Sequence, residues 1–159
     1  QMSEETKQLV LVHDAERCTG CLFCMVACSH KHFGYVDLNK SNIRIFFDPK
    51  TLKFEAAYCH HCDDPLCMTA CPVDAITKDE ITGIVKVSPA KCIGCHLCNM
   101  MCPLSVPWFD VDARISRKCD FCDGDPECVK FCPTYALQVV PREQAKGRLV
   151  RAYKVLVEG

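Results

Sequence analysis

Long apolar runs are missing from this chain of 159 residues. A membrane-spanning helix needs at least about eighteen consecutive apolar residues, and residues 9–12, the first apolar stretch, read only LVLV. Residues 1–8 are polar, so the start does not resemble a secretory signal peptide. We therefore expect a protein of the cytoplasm that does not insert directly into a membrane.

The common catalytic motifs are missing as well. The sequence contains no P-loop, no GxGxxG, no HExxH and no GxSxG. These patterns hold phosphates, dinucleotides, a catalytic zinc ion or a nucleophilic serine. Their absence favours a carrier or binding protein over an enzyme.

Apolar side chains other than cysteine are scarce. The apolar fraction of 49% counts 16 cysteines, and without them it falls to about 39%, which is lean for a self-sufficient core. Bound metal would compensate for this deficit, because metal binding contributes folding free energy.

Cysteine is abundant instead, and its sixteen positions form four runs with similar internal spacing. Runs one and three read C-x2-C-x2-C-x3-C, run two reads C-x2-C-x4-C-x3-C, and run four reads C-x2-C-x5-C-x3-C. This spacing is typical of bacterial ferredoxins, in which the fourth cysteine of a run serves the other cluster of a pair. Four runs therefore predict four [4Fe–4S] clusters. The runs are Cys18, Cys21, Cys24, Cys28; Cys59, Cys62, Cys67, Cys71; Cys92, Cys95, Cys98, Cys102; and Cys119, Cys122, Cys128, Cys132.

Two other uses of so many cysteines are disfavoured. A disulfide-rich secreted domain shares the composition, but its cysteines are spaced irregularly, whereas these repeat. Zinc sites generally use two separated CxxC pairs, not a CxxCxxC triple. Sixteen cysteines also match every iron of four cubane clusters, so no iron is left open for catalysis.

The charge balance argues against nucleic acid as a partner. The formal net charge is −1 with cysteine counted as neutral. Each cluster with its four thiolates adds further negative charge, so the loaded protein would be anionic. Such a protein lacks the basic surface that phosphate backbones require.

Short strands and single helical turns are predicted around the runs, which gives an α+β fold. Residues 9–12 and 135–140 are predicted strands. Residues 42–58 predict a hairpin that turns at Asp48-Pro49-Lys50-Thr51, and residues 81–87 predict a second one near Thr82-Gly83. The three residues between the third and fourth cysteine of each run allow one helical turn. Proline follows the fourth cysteine in three runs and keeps that cysteine out of the helical region, whereas Ser29 follows Cys28.

The middle of the chain resembles an ordinary two-cluster bacterial ferredoxin. The resemblance rests on the stretch Cys71-Pro72-Val73-Asp74-Ala75-Ile76, on Gly83 and on Lys91-Cys92-Ile93-Gly94-Cys95. It implies an inner ferredoxin unit at about residues 57–103. An outer unit would combine residues 9–56 with 104–140, followed by a basic C-terminal tail at 141–159. Residues 1–159 would then form one polyferredoxin domain of two nested 2[4Fe–4S] units.

Residues 13–140 resemble the four-cluster iron–sulfur subunits of the dimethyl sulfoxide reductase type, with all sixteen ligand positions matched. That family relays electrons between a catalytic partner, often a molybdenum or tungsten pterin enzyme, and a second redox protein. The short spacing between Cys122 and Cys128 is most similar to subunits that accompany tungsten aldehyde oxidoreductases and the ATP-independent (class II) benzoyl-CoA reductase. The resemblance implies a non-catalytic electron-transfer subunit. A freely diffusing polyferredoxin and a relay subunit of a hydrogenase or carbon-monoxide dehydrogenase are the alternatives.

With the ferredoxin rule, the family resemblance pairs run one with run four and run two with run three. Each pair would exchange its fourth cysteines. The implied ligand sets are site 1 (Cys18, Cys21, Cys24, Cys132), site 2 (Cys59, Cys62, Cys67, Cys102), site 3 (Cys92, Cys95, Cys98, Cys71) and site 4 (Cys119, Cys122, Cys128, Cys28).

A few other residues have alternative interpretations. His60 and His61 are expected to be loop residues that shield a cluster, with hydrogen bonding to it as the alternative. Trp108 is expected to pack in the core, although a cluster edge or a partner surface would also suit it. The tail carries basic residues that would be solvated or would dock an acidic partner: Arg142, Lys146, Arg148, Arg151 and Lys154.

Overall fold

The computed structural model describes residues 8–145, which form two-stranded antiparallel sheets and short helices around the cysteine runs. The α+β prediction is confirmed. Two 3₁₀ turns lie at Leu38–Lys40 and Phe121–Gly124. In chain order the elements are β1 (Leu9–His13), α1 (Phe23–Phe33), β2 (Arg44–Asp48), β3 (Lys53–Ala57), α2 (Leu66–Ala70), β4 (Ile76–Lys78), β5 (Val85–Val87), α3 (Leu97–Met101), β6 (Trp108–Asp110), β7 (Ile115–Arg117), α4 (Glu127–Lys130) and β8 (Leu137–Pro141).

The first and last strands of the described chain pair with each other. β1 and β8 are antiparallel, with Val10 opposite Val140 and Val12 opposite Gln138. Both predicted strands are therefore present. The second begins at Leu137 instead of residue 135, because Tyr135 has a φ of 56° that a strand does not tolerate. This pairing closes the fold and brings run four back to run one.

Three hairpins use the same turn chemistry. Asp48, Asp79 and Asp110 each lie at or just beyond the end of the first strand, and each carboxylate accepts the N–H of the residue two positions later at 2.8–3.1 Å. Such Asx turns reverse the chain without a strand of their own. The β2–β3 hairpin matches the predicted one at 42–58.

The predicted hairpin at 81–87 is wrong in its first arm. β5 pairs with Ile76–Lys78, and Ile81 lies exposed in the turn that Asp79 organises. The β6–β7 hairpin was not predicted at all. Its signal was present: Asp110 stands between two β-rich arms, as Asp48 does.

The helices show what proline does after the fourth cysteine. α2 and α3 end just before Cys71 and Cys102. These cysteines take extended ψ values of 116° and 120° because proline follows each of them. α1 is longer than the predicted single turn. With Ser29 after Cys28, it continues to Phe33 and ends at Gly34, whose φ is 75°.

Two helix pairs and two apolar clusters hold the runs together. α1 packs on α4, and α2 packs on α3. A larger apolar cluster includes Leu11, Ile43, Tyr58 and Leu137, whereas a smaller one centres on Ile76, Val85 and Cys98. Within residues 8–145, the structure contains no helix of the length and apolarity that a membrane crossing demands.

Candidate metal centres

The four cysteine loops share a backbone conformation. The second residue after the first cysteine has a positive φ in every run: 72° at Gly20, 45° at His61, 71° at Gly94 and 58° at Phe121. This left-handed residue curls the loop back over its first thiol. In runs two and four, the N–H of that residue donates to the Sγ of Cys59 or Cys119 at 3.4 Å.

Glycine occupies this position in runs one and three because neighbouring groups approach it too closely for a Cβ. A Cβ at Gly20 would lie 2.6 Å from the Phe54 ring, and one at Gly94 would lie 2.8 Å from the carbonyl oxygen of Arg114. In runs two and four the equivalent residues, His61 and Phe121, instead meet each other edge to face at 5.9 Å. That contact joins the loop of run two to the loop of run four.

Backbone N–H groups also donate to cysteines at the first or fourth position of a run. Ala75 donates to the Sγ of Cys71 at 3.2 Å, and Ser116 donates to the Sγ of Cys92 at 3.3 Å. The Sγ of Cys28 receives the N–H of Asn42 at 3.3 Å, from the connection after α1. Donors of this kind stabilise thiolates and tune the potential of a bound cluster.

Three cavities are each lined by four cysteines, and each combines three cysteines of one run with the fourth cysteine of another. The cavity lined by the cysteines of site 2 has a volume of about 110 Å³. A second contains the cysteines of site 3, and a third contains those of site 1. Their linings are almost entirely apolar.

The cysteines of site 4 also lie close together. Burial raises the pKa of Cys128, and the neighbouring Cys28, Cys122 and Cys24 raise it further. Burial likewise raises the pKa of Cys122, and Cys28 again contributes. The fourth cysteine of run one is thus beside run four.

The thiols suit an iron–sulfur cluster chemically. All sixteen cysteines are free, with no disulfide among them. Burial, with neighbouring thiols, raises the pKa of Cys24 to about 12 and that of Cys67 to about 11, so these groups resist ionisation unless a metal binds them. Four soft sulfur ligands in an apolar cavity, with N–H groups directed at sulfur, fit a [4Fe–4S] cluster.

His32 belongs to this environment, although the sequence analysis did not include it. Its Nδ1 lies 2.9 Å from the carbonyl oxygen and 3.8 Å from the Sγ of Cys28, and its Nε2 lies 3.0 Å from Oδ1 of Asp120. The hydrogen bond to Asp120 is the largest cause, and that to Cys28 the second, of a rise in the pKa of His32 to about 11. His32 follows Cys28 by one helical turn, a relation that is visible only when α1 is known to continue.

Of the two adjacent histidines of run two, His61 is buried and His60 is half-buried. Nδ1 of His61 accepts the N–H of Val85 at 3.0 Å, and burial lowers the pKa of His61 to about 2. His60 lines the cavity of site 2, and burial lowers its pKa to about 4. Both therefore carry neutral rings that help to separate run two from water.

Trp108 packs within the fold, as expected. Its Nε1–H donates to Oδ1 of Asn42 at 2.7 Å, and the guanidinium of Arg44 lies 5.9 Å from the ring centroid. Asn42 also donates its backbone N–H to Cys28. Trp108 thus supports the segment that reaches site 4.

The prediction of a solvated basic tail is wrong at its beginning. Nη2 of Arg142 donates to the carbonyl oxygens of His60 and His61, and its Nε lies 3.3 Å from Asp63. Ala145 is fully buried against Val10 and Val12. Four further residues of the predicted docking tail lie outside the described residues: Lys146, Arg148, Arg151 and Lys154.

Two family profiles match the chain, and both are described as a 4Fe-4S dicluster domain. One matches residues 50–142 and the other matches residues 17–75. Together they cover all four cysteine runs.

Two of the individual relatives are named as an electron-transfer subunit or a polyferredoxin-like subunit. The thiosulfate reductase electron transfer subunit PhsB of Salmonella typhi is 33% identical, over 86% of this chain and 78% of its own length. The polyferredoxin-like subunit of an aliphatic sulfonate oxidoreductase from Pyrococcus furiosus is 36% identical, over 82% and 76%. The beta subunit of an NADH-dependent phenylglyoxylate dehydrogenase from Aromatoleum evansii is 38% identical over 80% of this chain, which spans only 29% of that longer protein.

Solved structures of the active-site complex BamBC of benzoyl coenzyme A reductase include a chain similar to this one. In the complex with benzoyl-CoA, that chain is 26% identical with a TM-score of 0.47, covering 90% of this chain and 88% of its own.

Proposed function

The chain belongs to the 4Fe–4S dicluster domain family, and we propose that it is the electron-relay subunit of an oxidoreductase complex. It would contribute no catalytic site of its own. When bound, each [4Fe–4S] cluster supplies a site that accepts and releases one electron. The observation that carries the proposal is the convergence of cysteines from different runs on apolar cavities, four cysteines to each.

The proposed ligand sets are those of sites 1 to 4. The cavity linings support sites 1, 2 and 3, and the proximity of Cys28 to Cys122 and Cys128 supports site 4. The nested arrangement of two units is proposed on the same basis. Sites 1 and 4 exchange cysteines across α1 and α4, and sites 2 and 3 do so across α2 and α3.

The neighbours of individual cysteines suggest the order of the sites. Cys24 of site 1 is near Cys128 of site 4. Cys119 of site 4 is half-buried, and after burial the nearby Cys59 of site 2 contributes most to raising its pKa. Cys67 of site 2 packs against the apolar cluster that contains Cys98 of site 3. We infer the order site 1, site 4, site 2, site 3.

Sites 1 and 3 would then be the two ends of the relay. Exposed apolar side chains flank the cysteines there: Phe23 in run one is 53% exposed and Ile93 in run three is 63% exposed. Partners that exchange electrons must approach a terminal site closely, and apolar side chains at the surface favour such contacts. One partner would be a catalytic subunit, with a tungsten or molybdenum pterin as the proposed centre, and the other a second redox protein.

The partner proposal rests on relatives whose names include a thiosulfate reductase and an aliphatic sulfonate oxidoreductase. The proposed compartment is the cytoplasm, because sixteen free thiols are most readily maintained in a reducing environment. A freely diffusing polyferredoxin is the second candidate, since the exposed ends also suit transient partners.

Metal analysis tests the relay assignment. Protein isolated without oxygen should contain about sixteen iron and about sixteen acid-labile sulfide per chain. On reduction, electron paramagnetic resonance should show S = ½ signals broadened by coupling between neighbouring clusters. About four zinc ions per chain without labile sulfide would overturn the assignment.

Anaerobic purification from the native source tests the partner. Co-elution with a larger subunit that contains tungsten or molybdenum would support the proposed complex. Elution as a single small chain that reduces several enzymes would support the diffusing polyferredoxin.

A further inference from the structure

Lys118 is a buried lysine between run two and run four. Its residue is only 5% exposed, and it lines the cavity of site 2. Its Nζ donates to the carbonyl oxygen of Val85 and to that of Cys119, the latter at 2.9 Å. Lys118 therefore touches site 2 through the cavity and site 4 through Cys119.

None of the ion pairs within residues 8–145 joins this ammonium group to a carboxylate. The ion pairs of the other lysines, such as Lys40 with Asp112 and Lys86 with Asp123, lie at the surface. Carbonyl oxygens satisfy hydrogen bonds but carry no net charge. A buried cation without an anion is costly, so a buried charge is normally paired.

Lys118 lies at the junction between site 2 and site 4. The cavity that it lines also contains the four cysteines of site 2. Its Nζ is bonded to the main chain of Cys119, the first cysteine of site 4. The lysine is thus placed to act on both sites.

We propose that Lys118 is the internal counter-charge of this junction: it favours the reduced state of the clusters in sites 2 and 4. The proposal rests on the proposed relay function. A [4Fe–4S] core with four thiolates is anionic and becomes more so on reduction, and net charge is one determinant of cluster potential. Because Lys118 is buried, the attraction is weakly screened. Lys118 is a positioning residue: its charge acts on the clusters, but its side chain is not a cluster ligand.

A purely structural role is the competing explanation, because Nζ also ties β5 to run four. Three substitutions separate charge from hydrogen bonding. Lys118→Met removes both, Lys118→Gln removes the charge but keeps a donor, and Lys118→Arg keeps both. Lys78→Gln is the matched control. Nζ of Lys78 also donates to two carbonyl oxygens, those of Cys62 and Asp63, but these hydrogen bonds are exposed to solvent.

The readout is a redox titration of the purified, loaded protein, monitored by electron paramagnetic resonance and fitted to four midpoint potentials. In Lys118→Met and Lys118→Gln, two of the four potentials should fall. The reduction equilibrium of each should change by about tenfold, or about 59 mV for one electron. The other two potentials should stay in place. Lys118→Arg and Lys78→Gln should match the wild type, because the first retains the buried charge and water screens the second.

Each other result is also decisive. Unchanged potentials in Lys118→Gln, or an equal fall in Lys78→Gln, would overturn the proposal. Loss of iron from both neutral variants with full loading of Lys118→Arg would support it, since the anionic clusters then need the charge to assemble. Loss of iron from all three variants would overturn it in favour of a packing role. Failure of the relay assignment appears separately, as wild-type protein without about sixteen iron.

Discussion

Nε2 of His32 lies 3.0 Å from Oδ1 of Asp120, so the helix that carries Cys28 is fastened to the loop that carries Cys119. The same imidazole holds the carbonyl oxygen of Cys28 at 2.9 Å through Nδ1. Both ring nitrogens are thus engaged, and Cys28 is directed away from its own run. Side chains as well as the β1–β8 pairing bring run one to run four.

The proposed exchange of the fourth cysteines predicts which cluster each substitution removes. Cys28→Ser should disturb site 4 and leave site 1 intact, whereas Cys132→Ser should do the reverse. The reason is that Cys132 lines a cavity with three cysteines of run one, and Cys28 lies beside Cys122 and Cys128 of run four. Iron analysis should show one depleted cluster in each variant, and paramagnetic resonance should show that the two lost signals differ. Loss of the same signal from both variants would contradict the proposed sets.

Glycine is required at position 94 because its φ is positive and because a backbone oxygen lies close to it. Substitutions can separate these two reasons. Gly34 and Gly94 have similar φ values, 75° and 71°, but a Cβ at Gly34 would meet nothing within 4 Å. Gly34→Ala should therefore cost only the backbone strain of about 1–2 kcal/mol. Gly94→Ala should cost more, because its Cβ would lie 2.8 Å from a backbone oxygen.

Chelator-driven loss of cluster absorbance measures this difference between the glycine variants. The Gly94→Ala protein should release iron faster than Gly34→Ala, and site 3 should be affected first. Equal rates in the two variants would mean that the close approach of Arg114 is not limiting.

Proline at position 29 would make run one resemble the other three runs, and it should be destabilising. Ser29 lies inside α1, where proline removes a hydrogen bond and clashes with the preceding turn, at a cost of about 3 kcal/mol or more. It would also displace His32. Ser29→Ala is the control, because it loses only the bonds of Ser29 Oγ to Tyr35 and Asp37. Thermal loss of cluster absorbance should occur at a lower temperature in Ser29→Pro than in Ser29→Ala.

Asp110 should make the folding stability of the protein depend on pH in the acidic range. Burial raises its pKa, but the bond from Arg117 at 2.6 Å and the N–H groups of its turn outweigh burial and hold the pKa below the ordinary value. A carboxylate with a lowered pKa contributes stability above its ordinary pKa, and this contribution is lost as the pH falls through the folded-state pKa.

Comparison with Asp110→Asn isolates that contribution. At neutral pH the variant should be less stable by about 1–3 kcal/mol, the value of hydrogen bonds to a charged group. The gap in thermal midpoint between the two proteins should begin to narrow as the pH falls below about 4, the ordinary pKa of an aspartate, and should continue to narrow through the lower pKa of the folded state. A gap that is constant from pH 7 to pH 3 would show that Asp110 acts without its charge.

Much of the local structure follows from short stretches of sequence. The Asp48 turn and the strand at residues 9–12 were predicted correctly, because turns and short strands depend on neighbouring residues. The β6–β7 hairpin shows the limit of this reading, since its Asp110 turn carried the same signal and was overlooked. The length of α1 depended on one residue, Ser29 in place of proline.

Cysteine spacing alone is enough to predict the kind of cofactor and the curl of each loop, because the reach of a CxxCxxC loop is a matter of local covalent geometry. Which cysteines come to share a cavity is decided by the pairing of β1 with β8 and by the packing of α1 on α4 and α2 on α3, which join residues far apart in the chain. The tertiary structure likewise decides the burial of Lys118 and the bond between His32 and Asp120. Burial and long-range contacts depend on the whole packed fold, and no short window of sequence contains them.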